Sequence, residues 1–341
     1  MPSDSTLTHD IIVIGTSAGG VQALSDVVAA LPPDLPATLF IVIHLSPQGP
    51  NLLGDVLRAV TNLSVRTPAD GETFERGTIY IAPADCHLLV QQNHVRITRG
   101  PRENRCRPAI DPLFRSAAIS YRSRVIGVLL TGLLDDGAAG LVAIQRCGGL
   151  TIVQEPREAL WPDMPLAALE LMRPDYISTL KEIGGLLTSL VQQPAENPRP
   201  VPLSIALEAK IAEGISDVMT EEQLGELVPL SCPECGGPLW EIRSENFARY
   251  RCHVGHAFTA KALLSDQRES IERALWGALR ALKERAKVLS NLAKNSRSPN
   301  SSTTRDYEEQ AENTEAHIQI ITDLLPNLQL QRISVTASDE S

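Results

Sequence analysis

Between residues 11 and 191, short apolar runs rich in β-branched residues alternate with segments whose apolar positions recur at helical spacing. No other feature of the chain narrows its fold as far. Residues 11–14, 38–43, 78–82, 125–130 and 150–153 read as strands, apolar enough to be buried on both faces, as strands of parallel sheets are. Residues 21–31, 112–121 and 138–147 read as the helices between them. Strands joined through helices need right-handed crossovers. The expectation is an α/β domain over residues 10–191 with a doubly wound, mostly parallel sheet.

The texture then changes. QQPAENPRPVP, residues 192–202, has four prolines and little to pack, and reads as a linker. Residues 203–258 form a small Cys/His module, and residues 259–330 a helical hairpin with helices at 259–294 and 307–325 broken by SRSPNSSTT. Leu264, Ile271, Leu275, Ala278, Leu282, Leu289 and Leu292 recur near heptad spacing, which serves either the hairpin's own core or a dimer or signalling partner. Residues 1–9 and 331–341 are expected to be disordered.

Composition removes several classes. A net charge of -10 without a Lys/Arg stripe argues against nucleic acid. No apolar run approaches the roughly 18 residues of a membrane span, so no membrane insertion is expected. The first residues lack the basic and apolar regions of a secretory signal. Six cysteines, two of them in a C-x-x-C pair, suit a reducing compartment, so a cytoplasmic protein is expected.

Three polar residues stand just past strand ends. The first strand runs into Gly15-Thr16-Ser17-Ala18-Gly19, a G-x-S-x-G turn that lifts a serine hydroxyl above a sheet beside helix-start N–H groups. A phosphate-binding turn is the alternative, weakened by the lack of G-x-G-x-x-G and of a P-loop lysine. His44 follows the second strand and Asp135-Asp136-Gly137 the strand at 125–130. Alone, such a histidine is a hydrogen-bonded core residue and such an aspartate a solvated turn. In a doubly wound sheet, however, these carboxyl ends share one edge, where active sites form. Chain order does not decide a triad, so Ser17, His44 and Asp136 make a coherent set.

Farther on, Cys232-Pro233-Glu234-Cys235 and Cys252-His253-Val254-Gly255-His256 are two close-spaced ligand pairs. The spacing suits a structural zinc ribbon held by Cys232, Cys235, Cys252 and His256, with His253 the other choice for the fourth ligand. The competing arrangement is unliganded thiols in a loop.

The motifs IGTSAGG (14–20), IHLSP (43–47), DGETFERGTIYIAPADCHL (70–88), GPRENRCRPAIDPLF (100–114) and LLTGLLDDGAAG (129–140) run in the order found in the CheB-type protein-glutamate methylesterases of bacterial chemotaxis, and the chain resembles that family's catalytic domain across about half its length. The resemblance implies Ser17 as nucleophile, His44 as general base and acid, and Asp136, which precedes the glycine matched by Gly137, as the residue orienting His44. Asp135 would be a solvated neighbour. Asn104, Arg107 and Asp111 match a loop bordering the family's cleft and are candidates for substrate positioning. His87 is expected to be structural. Backbone N–H groups at Ala18 and Leu133 would hold the oxyanion. No catalytic cofactor is implied, and the substrate would be a methylated chemoreceptor or another methylated or amidated protein. Two departures stand out. Only about ten residues precede the first strand, so the family's N-terminal receiver domain is expected to be absent. Ala18 and Leu133-Leu134 replace a hydroxyl residue and a Met-Gly pair. A CPECGG…RCHVGH segment accompanies some stand-alone relatives. The competing function is a non-catalytic binding protein acting through the zinc and helical module.

Overall fold

The structure is a computed structural model describing residues 7–44, 52–213, 225–244, 247–295 and 302–330. Leu45–Pro47 of the IHLSP motif, most of the break after residue 295 and the tail from residue 331 lie outside the described residues. The chain divides into two compact units, residues 1–263 and 264–341. Among the described residues no helix is long and apolar enough to cross a membrane.

The first unit is built on a seven-stranded, all-parallel sheet of β1 (Ile11–Thr16), β2 (Thr38–Ile43), β3 (Ser64–Arg66), β4 (Thr78–Ile81), β7 (Val125–Leu129), β8 (Leu150–Gln154) and β9 (Tyr176–Ser178), in the order β3-β4-β2-β1-β7-β8-β9. Its two faces are sorted residue by residue. Ile11 and Val13, with Phe40 and Val42, pack under α3 (Ile110–Tyr121), α4 (Ala138–Arg146) and α5 (Asp163–Leu171). Ile12 and Ile14, with Leu39 and Ile41, pack under α1 (Gly20–Ala29), α2 (Leu53–Val60) and α6 (Leu180–Leu190). This is the period-two alternation of a strand buried on both sides. An antiparallel hairpin of β5 (His87–Gln91) and β6 (His94–Thr98) stands apart from the sheet.

Sequence pattern missed how far this unit extends. Residues 7–9, expected to be disordered, are tied down: Thr8 pairs with Pro194, and His9 is buried. The proline-rich stretch runs along the α/β body, with Val201 against its core. Helix α7 (Leu203–Ala212) sends Ile205 into that core. A second sheet of β10 (Glu226–Ser231), β11 (Pro238–Ser244), β12 (Phe247–Cys252) and β13 (Ala257–Thr259) belongs to the same unit. It is joined to the body by buried charge. Glu103 and Glu208 are shared among Arg115, Arg249 and Arg251, with Arg115 Nη2 to Glu103 Oε1 at 2.7 Å and Arg251 Nη2 to Glu103 Oε1 at 3.1 Å.

The second unit holds most of α8 (Ala260–Lys294) and all of α9 (Ser302–Leu330). Leu279, Ala286, Ile318 and Leu325 form its core with Leu275 and Leu282 of the leucine seam packed against it, so part of that seam is the hairpin's own packing.

Candidate active site and metal cluster

Strand register brings the three polar strand ends together. Thr16 pairs with Ile43 and Gly15 with Leu129, so the residues following β1, β2 and β7 lie side by side at the carboxyl edge. The connection after β1 runs to β2 on one side and the connection after β7 runs to β8 on the other, so the order reverses between β1 and β7 and a crevice opens there. The Ser17 N–H donates to Thr131 O at 3.0 Å and the His44 N–H to Thr16 O at 3.2 Å. Gly15 also has to be small, because a Cβ there would stand 2.3 Å from Cγ2 of Ile110.

His44 lies between the other two residues. Its Nδ1 is 3.2 Å from Ser17 Oγ and its Nε2 is 2.8 Å from Asp136 Oδ2. These ring nitrogens are used in the opposite sense to the serine-protease triad, yet the logic is unchanged: one nitrogen faces the hydroxyl while the carboxylate fixes the other. Burial disfavours a charged His44, but the nearby Cys106 sulfur and the hydrogen-bonded Asp136 carboxylate outweigh it and raise its pKa to about 10.

Asp136 is buried and collects donors. Beyond His44, its Oδ2 accepts from the Ile110 N–H at 2.7 Å, and its Oδ1 accepts from Asn104 Nδ2 at 3.0 Å and the Asp111 N–H at 3.2 Å. Burial alone would push its pKa up; the His44 contact and these donors hold it below the ordinary carboxylate range.

Two of the three loop residues matched to the cleft belong to this inner shell. Asn104 is buried, and its Nδ2 also donates to Asp111 Oδ2 at 3.1 Å. Asp111 is buried too, and its Oδ1 accepts from the N–H groups of Gly137 and Gly140 at 3.1 and 2.7 Å, tethering the start of α4. Burial and the neighbouring Asp136 charge push Asp111 up. Arg107 instead grips Asp85 through Nε and Nη2 at 2.9 and 2.7 Å and the Gly100 carbonyl through Nη1 at 2.9 Å. His87 spans Pro101 O and the Ala109 N–H from a fully buried position, and burial lowers its pKa. The N–H groups of Ala18 and Leu133 carry no backbone acceptor among the described residues.

Asp135 departs from the solvated neighbour expected. It is buried, Thr259 Oγ1 donates to its Oδ1 at 2.8 Å, and burial raises its pKa to about 6. Sequence reasoning also passed over Cys106 and Thr259. The first sat inside a quoted motif. The second is 124 residues from the aspartate it touches, and no local pattern signals such a pairing.

In the small sheet, Cys232, Cys235, Cys252 and His256 bring their ligand atoms within 4.8 Å of one another. Cys235 and Cys252 sulfurs are 3.6 Å apart, and His256 Nδ1 is 3.7 Å from Cys232 Sγ and 3.4 Å from Cys252 Sγ. A tetrahedron with Zn–S near 2.3 Å and Zn–N near 2.0 Å has edges of roughly 3.5–3.8 Å. The residues present therefore fit a metal of that size. Each ligand pair sits on a tight turn, with Gly236 N–H donating to Cys232 O and Gly255 N–H to Cys252 O, both at 2.8 Å. The His253 ring packs over Gly237 instead.

A sequence profile of the CheB methylesterase family matches residues 12–187, just over half the chain. The chain belongs to the CheB methylesterase family. A Leptospira interrogans protein named putative protein-glutamate methylesterase/protein-glutamine glutaminase is 35% identical over 191 residues, covering 56% of this chain and 99% of that protein. A Rhodospirillum rubrum protein named protein-glutamate methylesterase/protein-glutamine glutaminase 2 is 36% identical over 181 residues, and the chain spans only 50% of its length. The crystal structure of the Thermotoga maritima CheB methylesterase catalytic domain superposes with a TM-score of 0.51 at 33% identity, covering 53% of this chain and 98% of that one. The CheB match ends before α7, so the metal cluster lies outside it.

Proposed function

We infer that this CheB-family chain hydrolyses glutamate methyl esters on methylated chemoreceptors or a related signalling protein, using Ser17, His44 and Asp136. The observation that carries this is His44, bridged between the Ser17 hydroxyl and a buried, donor-rich carboxylate at the switch point of the sheet. Ser17 Oγ attacks the ester carbonyl while His44 Nδ1 takes its proton, and the Ala18 and Leu133 N–H groups would hold the oxyanion. Collapse breaks the bond to the methoxy oxygen, which leaves as methanol with the proton from His44. Water, deprotonated by His44, then attacks the acyl-enzyme, freeing glutamate and restoring Ser17. A glutamine amide would follow the same course, releasing ammonia.

Asn104 and Asp111 are best read as positioning residues behind Asp136, and Arg107 as a pin for its loop, since their polar atoms are committed to the protein. Exposed Leu133, Leu160 and Trp161 offer an apolar rim near the nucleophile that suits a protein substrate rather than a small polar ester. Cys232, Cys235, Cys252 and His256 would hold a structural zinc ion, which supplies no step of the reaction.

The test is methanol release from methylated chemoreceptor membranes by the wild type and by Ser17→Ala. Release that disappears with Ser17 supports the assignment. Release that survives Ser17→Ala, or no release from either protein on any methylated receptor, removes it.

A further inference from the structure

Between the metal cluster and the triad runs an unbroken line of contacts. The Cys252 N–H donates to His256 O at 3.0 Å, closing the knuckle that leads straight into β13. β13 in turn docks along residues 102–104. The Ala257 N–H donates to Arg102 O at 3.2 Å, the Asn104 N–H to Ala257 O at 2.8 Å, and the Thr259 N–H to Asn104 Oδ1 at 3.0 Å. Asn104 adopts φ 49°, a left-handed conformation that asparagine takes more readily than most side chains. Held this way, its amide has one outlet, with Nδ2 bonded to Asp136 and Asp111. On the other side of Asp136, Thr259 Oγ1 takes hold of Asp135 and also accepts the Ala262 N–H at the start of α8. A three-residue strand thus braces both neighbours of the carboxylate that orients His44.

β13 pairs with Arg249–Arg251 of β12, and apart from that pairing little holds it. β13 is short, and few buried apolar groups surround it: Leu239, Phe258, Ala262 and Leu263 beside Cys232 and Cys252. Four ligands drawn onto one ion would lock it, because ordering of a small metal knuckle and metal binding are one free-energy change.

We propose that the Cys232–Cys235–Cys252–His256 metal clip is a positioning device for the esterase, fixing β13 so that Asn104 and Thr259 hold the Asp136 loop in its working geometry. This rests on the triad and zinc readings above and adds that zinc loading and Ser17 reactivity are coupled through Asn104.

The experiment uses full-length protein, metal analysis, and the rate at which a small fluorophosphonate labels Ser17, which requires no protein substrate. About one zinc per chain is expected; protein that neither carries zinc nor takes up added Zn²⁺ overturns the proposal. Loaded wild type should label and Ser17→Ala should not. No labelling of loaded wild type removes the triad reading, and the coupling with it. Chelated wild type and Cys235→Ser should label about tenfold more slowly or worse, with circular dichroism largely retained and with Zn²⁺ rescuing the chelated wild type only. Equal rates with and without zinc overturn the coupling while leaving the triad standing. Asn104→Gly keeps all four ligands and tolerates the left-handed backbone, so it guards against a general folding defect. It should keep its zinc, label nearly as slowly as stripped wild type, lose kcat with little change in KM, and lose much less than the wild type on chelation, the remainder passing through Thr259. Additive losses from Asn104→Gly and chelation would overturn the route through Asn104.

Discussion

Asp136→Asn changes almost no volume, so its effect is a matter of hydrogen-bond polarity. Four donors converge on this carboxylate: His44 Nε2 and the Ile110 N–H at 2.8 and 2.7 Å on Oδ2, and Asn104 Nδ2 and the Asp111 N–H at 3.0 and 3.2 Å on Oδ1. An amide offers one acceptor oxygen and one NH₂ group. With its NH₂ at the Oδ1 position, two donors that cannot change role are stranded, at about 1–3 kcal/mol each. With its NH₂ at the Oδ2 position, only the Ile110 N–H is stranded, because the imidazole can shift its proton to Nδ1 and accept on Nε2. The second arrangement is cheaper by one stranded donor, and it is the one that points an N–H at Ser17 and removes the base. Turnover should therefore fall by about 10⁴, the size of the carboxylate-to-amide effect in the serine-protease triad, where the same wrong tautomer results. That is about 5.5 kcal/mol at 1.36 kcal/mol per decade. Unfolding in urea should show a smaller loss of about 1–3 kcal/mol from the stranded donor. Initial rates of methanol release and denaturation curves on the same preparation separate the two effects. A variant within about tenfold of wild-type turnover and of equal stability would refute the tautomer argument.

Because His44 must be neutral to take the serine proton and its pKa is raised, kcat/KM should climb with pH through neutrality toward about 10, and Cys106→Ala should move that rise to lower pH; a wild-type midpoint near the ordinary histidine value would contradict this. Asp135 has a folded-state pKa raised to about 6 from an ordinary 3.8, so the stability it lends is complete below pH 3.8 and is lost as pH rises through 6. Asp135→Asn keeps an acceptor for Thr259 and should be the more stable protein by up to about 3 kcal/mol at pH 8, with the advantage gone at pH 4 in urea titrations. Glu208→Gln takes a charge from a site where three guanidinium groups meet and should cost about 3–5 kcal/mol, measured by thermal or chemical unfolding. Glu103, in the same cluster, is held down to about 2 by Arg115 and Arg251 against the cost of burial, so its contribution is present above pH 4.5 and is lost as pH falls toward 2.

What could be read from the sequence was whatever has a local period or a short motif. Ile11 to Ile14, apolar at every position, could be recognised as a doubly buried strand, and parallel pairing then carried Ser17 and His44 to one edge. The cysteine spacing likewise marked the four residues that cluster. What stayed hidden is polar and long-range. Arg251 is a charged residue in a strand pattern, and nothing nearby in sequence shows that it will be buried against Glu103, 148 residues earlier. Asp135 looked solvated because aspartate beside glycine usually is; in the fold it is buried against Thr259, the first residue of the segment expected to form the helical hairpin. The proline-rich stretch was read as a linker from composition, although Val201 packs on the core. Composition registers poor helix and strand formers, not surfaces on which an extended chain can lie.

The same long-range polarity bears on which aspartate serves His44. Three carboxyl groups, Asp111, Asp135 and Asp136, are buried close together, and three full charges could not share that space cheaply. The protein separates them by what each is given. Asp136 receives three N–H donors besides the histidine and is held down as a carboxylate. Asp135 receives one hydroxyl among the described residues and is raised by burial, while Asp111 is raised by burial and the Asp136 charge although Asn104, Gly137 and Gly140 donate three N–H groups to it. Environments that drive neighbouring titratable groups apart in this way assign their roles, because only the member kept ionised can stabilise an imidazolium. Of the two adjacent aspartates, Asp136 is the one that meets both the histidine and the N–H donors. Asn104, which supplies one of the three for Asp136, itself accepts from the Thr259 N–H of β13, a strand outside the segment that matches the esterase family.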